Sequence, residues 1–303
     1  MITGTTEESS DGSAAEVQPS SAVECSWDAL LARVSSFPTL PVIVDKIAEL
    51  VRLPETTARE IEAVVVTDQT LAARLLRLVN SPFYGFAQKV TTISRAVGLV
   101  GFEALRNLAF STSVMHLFKS GGSATFEPAE FWKHSIGAAI AAKVIARRLG
   151  EKQVEEFFVA GLMHDIGKLV HHEFFREEFN RAGELALERG VLLREAEREV
   201  LRFAHDQTAG ILLTHWRLPQ RLIAMVTDHH EPCRTREYAR EGAVIHLADI
   251  LCRAKGFGSG GDNKMPRLDR RAWECLCLTV GDIEQVMSQM DKEFEPATSI
   301  LSE

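Results

Sequence analysis

The segment Gly161-Leu162-Met163-His164-Asp165-Ile166-Gly167-Lys168-Leu169 sets an imidazole beside a carboxylate, with an ammonium three residues on, in otherwise apolar surroundings. An unpaired charge in such a segment is costly, so these groups need partners. Divalent transition metals take this mixture of nitrogen and carboxylate oxygen ligands. Further ligands must then come from other helices, and His134, His205, the pair His229-His230 and Asp249 are the candidates. Lys168 lies four residues after His164 and so on the same helix face, where its ammonium can meet a phosphate bound near the metal. Asp165 and Lys168 are therefore the candidate catalytic residues.

Outward from this segment, apolar residues recur at helical spacing. Ala129 to Leu149 reads as a long Ala-rich helix and Glu155 to Phe174 as one continuous helix carrying the His-Asp pair. Glu177 to Arg189, Leu193 to Trp216, Pro219 to His229 and Ala239 to Lys255 follow. Upstream, Leu30, Leu31 and Val34 give way, after a break at Pro38 to Pro41, to Val42, Ile43, Ile47, Leu50 and Val51. Thr56-Thr57 with Glu60 predicts a capping box opening Ile61 to Val66, and Asp68 caps Leu71 to Val79, which stops at Asn80-Ser81-Pro82. Ile93 to Val100 and Glu103 to Phe118 are two more helices. No run of alternating β-branched residues with hairpin turns calls for a strand. The fold class is all-α, in two consecutive helical bundles.

Lys119 to Pro128, with two Gly, two Ser and one Pro, divides the bundles. The expected organisation is a disordered tail over 1–24, a first helical subdomain over 25–120, a second over 125–256, and a glycine-rich loop with a helical tail over 257–303. Gly256 to Asn263 holds four glycines and predicts a flexible loop before a terminal helix, Leu268 to Glu293.

Composition narrows the class. At 303 residues, 46% hydrophobic and 25% charged, the chain is globular rather than disordered or fibrous. The net charge of −8 works against sequence-independent binding to nucleic acid. No apolar run approaches the roughly 18 residues of a membrane span, and the first basic residue is Arg33, which predicts a cytoplasmic protein. Five cysteines without a C-x-x-C pair argue against a disulfide framework. Cys275 and Cys277 sit in the apolar run Ala272 to Val280, which predicts buried thiols. Ile93 to Phe110 has the helix, Gly101 turn and helix pattern of a DNA reader, with Arg95 and Arg106 as phosphate contacts. Its apolar content and the acidic chain favour ordinary helix packing.

The ordered set His134, His164-Asp165 and Asp249 resembles the HD superfamily of metal-dependent phosphohydrolases. His205 and His229-His230-Glu231 resemble the longer ligand set of the HD-GYP branch, which degrades cyclic dinucleotides with two or three metals. The Gly-Tyr-Pro segment of that branch is absent, and Pro232-Cys233-Arg234 stands in its place. The HDOD branch is matched more closely. Leu40-Pro41, Asp68-Gln69-Thr70-Leu71, Asn80-Ser81-Pro82, Phe131-Trp132-x-His134, Gly161-x-x-His164-Asp165-x-Gly167-Lys168, His205-x-x-x-x-Gly210 and Trp216-x-Leu218-Pro219 occur in its order, over about Trp27 to Lys255. Gln69 replaces the usual Pro.

The resemblance implies an HDOD-type signal-transduction protein whose second bundle is HD-like, acting through a signalling protein partner or a nucleotide ligand. It implies one or two iron, manganese or zinc ions on His134, His164, Asp165, His205, His229, His230 and Asp249. The alternative it implies is a metal-dependent phosphohydrolase in which Lys168 stabilises developing charge. Glu130, four residues before His134, reads as an exposed helix-start acid. His116, His171, His172, His215 and His246 read as ordinary histidines.

Overall fold

Four helix starts in the first half follow polar caps. In the computed structural model, which describes residues 26–37, 40–80, 84–118, 121–123 and 125–298, Ser26 caps α1 (Trp27–Ser35). After α2 (Val42–Val51), Thr57 and Glu60 form the reciprocal box that opens α3 (Ala58–Val65). Asp68 accepts from the Thr70 and Leu71 amides to start α4 (Gln69–Val79), and Thr92 starts α5 (Ile93–Val100). Asn80 then pins the chain, its amide donating to the Leu76 and Val90 carbonyls and accepting from the Val90 amide. The 1–24 tail, Ser81-Pro82 and Pro38-Thr39 of the Pro38 to Pro41 break lie outside the described residues.

Ile47, Ile61, Val65, Leu75 and Leu105 are buried in a small core between α2 and α6 (Phe102–Leu117). On this short-helix platform Arg95 bonds Gln88 and Arg106 pairs with Glu103, while Leu105, Leu108 and Ala109 turn α6 inward as a packing helix.

The second bundle comprises α7 (Pro128–Arg148), α8 (Val154–Met163), α9 (Ile166–Phe174), α10 (Arg176–Arg189), α11 (Leu193–Val200), α12 (His205–His215), α13 (Gln220–Thr227) and α14 (Ala239–Lys255). Leu30 and Val34 of α1, Val44 of α2 and Phe110 and Val114 of α6 belong to its core. So do Ala272 of α15 (Arg270–Leu276) and Val286, Met290 and Phe294 of α16 (Val280–Thr298). The apolar core is therefore continuous across the segment at 119–128 and across the glycine-rich loop. No strand occurs among the described residues, only an isolated bridge between Ser123 and Phe126.

Three expected helices are interrupted. Glu155 to Phe174 is two helices, α8 and α9, that meet at His164-Asp165; Asp165 leaves the helical conformation and turns both side chains inward. Leu193 to Trp216 divides into α11 and α12 at Arg202, which has φ +72°. Leu268 to Glu293 divides into α15 and α16 at Cys277, φ +52°. That turn also corrects the cysteine expectation: Ala272 and Leu276 face the core, while Cys275 and Cys277 are exposed.

Gly167 lets α9 touch the start of α12. A Cβ there would lie 2.0 Å from the His205 carbonyl oxygen, closer than any non-bonded contact. Gly167→Ala is expected to cost about 3 kcal/mol or more, read as a thermal midpoint several degrees lower, because backbone must move on both sides. An unchanged midpoint would show that the two segments are not tightly apposed.

Candidate metal centre

The break between α8 and α9 puts Asp165 at the middle of two donor sets. Its Oδ2 lies 3.3 Å from His164 Nε2 and 3.6 Å from His134 Nε2, and His134 Nε2 is 3.2 Å from Asp249 Oδ1. Its Oδ1 lies 3.1 Å from His205 Nε2 and 3.9 Å from His229 Nε2, and His205 Nε2 is 2.9 Å from His230 Nε2. His134, His164 and Asp249 thus form one group, and Asp165, His205, His229 and His230 another, each with its ligand atoms within 4.8 Å of one another. The seven residues come from α7, the α8–α9 junction, α12, the turn after α13, and α14. All seven predicted ligands are brought together.

The opposite ring nitrogens decide what the inward ones can be. His164 Nδ1 donates to the Gly161 carbonyl at 2.7 Å, His229 Nδ1 to the Val226 carbonyl at 2.6 Å, and His205 Nδ1 to Glu197 at 2.6 Å. A carbonyl or carboxylate oxygen only accepts, so each Nδ1 carries a proton and Nε2 is the nitrogen that each ring turns toward the metal position. His229 Nε2 and Asp165 Oδ1 are buried without a hydrogen-bond partner. An imidazole nitrogen and a carboxylate oxygen buried without partners are costly unless a cation lies between them. The donor set therefore fits divalent metal, with the Nδ1 acceptors fixing ring orientation as they do in metal sites.

A model of the HDOD domain matches residues 37–232, about two thirds of the chain. The chain belongs to the HDOD family. A Geobacter sulfurreducens HDOD domain protein of unknown function is 26% identical, with TM-score 0.74 over 91% of this chain and 98% of that one. A Shewanella amazonensis protein provisionally named a phosphohydrolase shares the fold at 22% identity, TM-score 0.73, over 90% of this chain and 98% of its own. An uncharacterized Treponema pallidum protein is 25% identical over 223 residues, 73% of this chain and 43% of that protein. The HDOD chain spans less than half the length of the curated relatives it matches.

The glycine-rich loop of the HDOD chain, expected to be flexible, is instead a strap laid across the first donor group. The Ser259 amide donates to the Glu130 carbonyl, Lys168 Nζ donates to the Gly260 carbonyl at 2.6 Å, and Asp262 accepts from the Leu193 amide and from Arg253. Gly258 has φ +66°, and a Cβ there would lie 2.2 Å from the Glu130 oxygen and 2.4 Å from the His134 nitrogen, so only glycine lets the strap sit this close. Lys168 is fully buried with its Nζ also 2.6 Å from Asp165 Oδ2. The ammonium is thus closed off from solvent by the strap and by Asp165.

Three supporting residues, Glu197, Arg253 and Cys252, carry no assigned role in the sequence reading. Glu197, fully buried on α11, accepts from the His205 amide and joins His205 to His171, which also contacts Thr208. Arg253, four residues after Asp249, donates to its Oδ1 at 2.8 Å and bridges to Asp262. Cys252 Sγ lies 3.4 Å from His134 Nδ1. The i to i+4 spacing of Asp249 and Arg253 was a readable signal; Glu197 lacked one, since nothing local ties it to His205. His246 spends both nitrogens elsewhere, donating to the His229 carbonyl and accepting from the Asp269 amide. Glu130 pairs with Lys133 at the surface.

Burial, and next to it the charge of His164, pushes His229 down to about 3, and burial also holds His230 well below its ordinary range. Burial opposes ionisation of Asp165 and Asp249, but surrounding cations win, His164 and Lys168 at Asp165 and Arg253 at Asp249, so both carboxyls lie well below the usual range. Burial likewise works against the charged His205 ring, yet Glu197 raises it to about 9. Between pH 6.5 and 3 the unfolded metal-free chain takes up protons that buried His229 excludes. Stability therefore falls with acidification, by up to about 1.4 kcal/mol per pH unit for this group. Denaturant midpoints at pH 7.5 and 5.5 of the metal-free wild type beside His229→Gln check this, since His205, raised to about 9, works in the opposite sense in both chains; an equal pH response in the two would refute it.

Proposed function

We propose that this HDOD chain is a regulatory module organised around a centre for two divalent transition-metal ions of the iron, manganese or zinc type, signalling through a bound ligand or protein partner. The observation that carries the proposal is enclosure. His134, His164, Asp165, His205, His229 and Asp249 are each at most 2% exposed, and the strap is fastened over the first group. Metal sites that hold structure are closed, whereas catalytic ones keep a position open to substrate. His134, His164, Asp249 and Asp165 Oδ2 hold one ion; Asp165 Oδ1, His205, His229 and His230 hold the other. Lys168 acts as a positioning residue that anchors Asp165 and the strap.

One feature favours the second reading, a metal-dependent phosphohydrolase. His230 is the only partly exposed ligand, and Arg194 and Arg198 stand nearby, both bonded to the adjacent Glu231. A metal there supplies Lewis-acid polarisation of a phosphate ester.

The test compares wild type with Gly258→Ala for metal content by elemental mass spectrometry and for turnover of a phosphodiester and of nucleotides. The regulatory proposal expects two equivalents of metal and no turnover in wild type, with chelator extraction about tenfold easier in the variant. Turnover by metal-loaded wild type, abolished by His230→Ala, would replace it with the hydrolase.

A further inference from the structure

A histidine that turns Nε2 to a metal needs its Nδ1 held by an acceptor. His164 and His229 follow the last turns of α8 and α13, where carbonyls without an intrahelical partner remain, and each donates to the carbonyl three residues back. His205 uses the carboxylate of Glu197. His134 has neither recourse. It lies in the second turn of the 21-residue α7, where the carbonyls are committed to the helix, so an acceptor for its Nδ1 must come from another element.

That element is α14. Cys252 Sγ lies 3.4 Å from His134 Nδ1, within hydrogen-bond reach for sulfur, and 3.3 Å and 3.5 Å from the carbonyl oxygens of His134 and Phe257. A thiol has one proton, which either carbonyl accepts, and the sulfur is then free to accept from Nδ1–H. Room for the sulfur is built into α7, because a Cβ on Gly137, one turn after His134, would lie 2.6 Å from Sγ. Cys252 is fully buried, yet its sulfur is not among the ligand atoms of the first donor group, His134, His164 and Asp249. It also reaches the strap, since the Phe257 amide donates to the Cys252 carbonyl at 3.2 Å.

We infer that Cys252 is the positioning residue of the first metal position: its thiol accepts from His134 Nδ1 and so holds Nε2 on the ion, without the sulfur being a ligand. The inference rests on the two-metal proposal above. The use of a thiol here and a carboxylate at His205 follows from the charges around each group. The first group already gathers Asp249 and one oxygen of Asp165, so a further buried carboxylate would add a desolvation cost with no cation assigned to it, which a neutral thiol avoids. The second group sets Asp165 alone among three imidazoles and takes the carboxylate of Glu197. Sulfur is a weak acceptor, so Cys252 orients His134 more than it raises the basicity of the ring.

The experiment compares Cys252→Ala and Cys252→Ser in the full chain, each alone and in a His230→Ala background that leaves the first position to be read. Zinc affinity is measured by competition with a chelator, and cobalt serves as a spectroscopic probe. Cys252→Ala is expected to weaken the first position by about 10- to 100-fold. With His230 intact, that loss is confined to one of the two equivalents. Cys252→Ser, whose hydroxyl also donates once and accepts, restores most of the affinity, and the cobalt-loaded wild type shows no sulfur-to-cobalt charge-transfer absorption. Equal affinities in wild type and Cys252→Ala would overturn the inference. So would charge-transfer absorption that disappears in Cys252→Ala, which makes the sulfur a ligand, or a Cys252→Ser chain as weak as Cys252→Ala with an unchanged unfolding midpoint, which makes it a space-filling atom. Failure of the metal proposal looks different: no equivalent is bound by the wild type, and the role of Cys252 falls with the centre.

Discussion

Asp165→Ala is expected to empty both metal positions at once. The carboxylate is the only side chain shared by the two donor groups, Oδ2 facing His134 and His164 and Oδ1 facing His205 and His229. Removal leaves each group a ligand short, and because loss of a mere outer-shell partner weakens metal sites by 10- to 100-fold, loss of a direct ligand should exceed about 100-fold at each position. A second effect follows from Lys168, whose buried Nζ keeps only the Gly260 carbonyl once Asp165 is gone. Breaking one side of a buried ion pair costs about 3–5 kcal/mol. Asp165→Asn separates the two effects, since the amide keeps the volume and one oxygen but offers an N–H₂ to the other group. The expected outcome is a folded Asp165→Asn chain with metal content reduced at both positions by elemental mass spectrometry, and an Asp165→Ala chain with a markedly lower unfolding midpoint as well. Two full equivalents in Asp165→Asn would refute a shared bridging carboxylate.

The candidate ligands could be picked out in the sequence because metal chemistry restricts residue type: an imidazole and a carboxylate inside an apolar segment demand a partner wherever they occur. The caps at Thr57, Asp68 and Thr92 were legible because they act within three residues. What the sequence concealed depends on contacts between distant segments. The helix break at His164-Asp165 carries no Pro, and neither Gly161 nor Gly167 flanking it announces a break, since both serve close approach, to Ala138 and to His205. The glycines of 256–263 look like flexibility by composition. Their actual use is to let backbone lie against the His134 helix and present a carbonyl to Lys168, a use that appears only when both elements are in place. Cys275 and Cys277 mislead for a related reason, because an apolar run was read as buried before the helix phase and the turn at Cys277 were known.

Glu197 makes the corresponding case for a residue that touches no metal position yet controls one. It is fully buried, and its two oxygens accept from His171 Nδ1, His205 Nδ1 and the His205 amide. Burial alone would raise its pKa, but the His205 and His171 charges outweigh that and hold it far below the usual carboxylate range. With the folded value depressed, its contribution to stability is present above the unfolded value of about 4.5 and is lost as pH falls below it. Glu197→Ala leaves three buried donors without an acceptor at about 1–3 kcal/mol each, so a loss of several kcal/mol is expected. Glu197→Gln preserves volume and one acceptor, and distinguishes stability from metal tuning. Without a carboxylate on Nδ1, His205 is a weaker base at Nε2, and affinity at the second metal position should fall by 10- to 100-fold while the first, built on His134, His164 and Asp249, is spared. Competition of each variant with a chelator of known affinity reads this directly. Loss confined to one equivalent supports two positions joined at Asp165, whereas equal loss of both would mean that the seven ligands act as a single site.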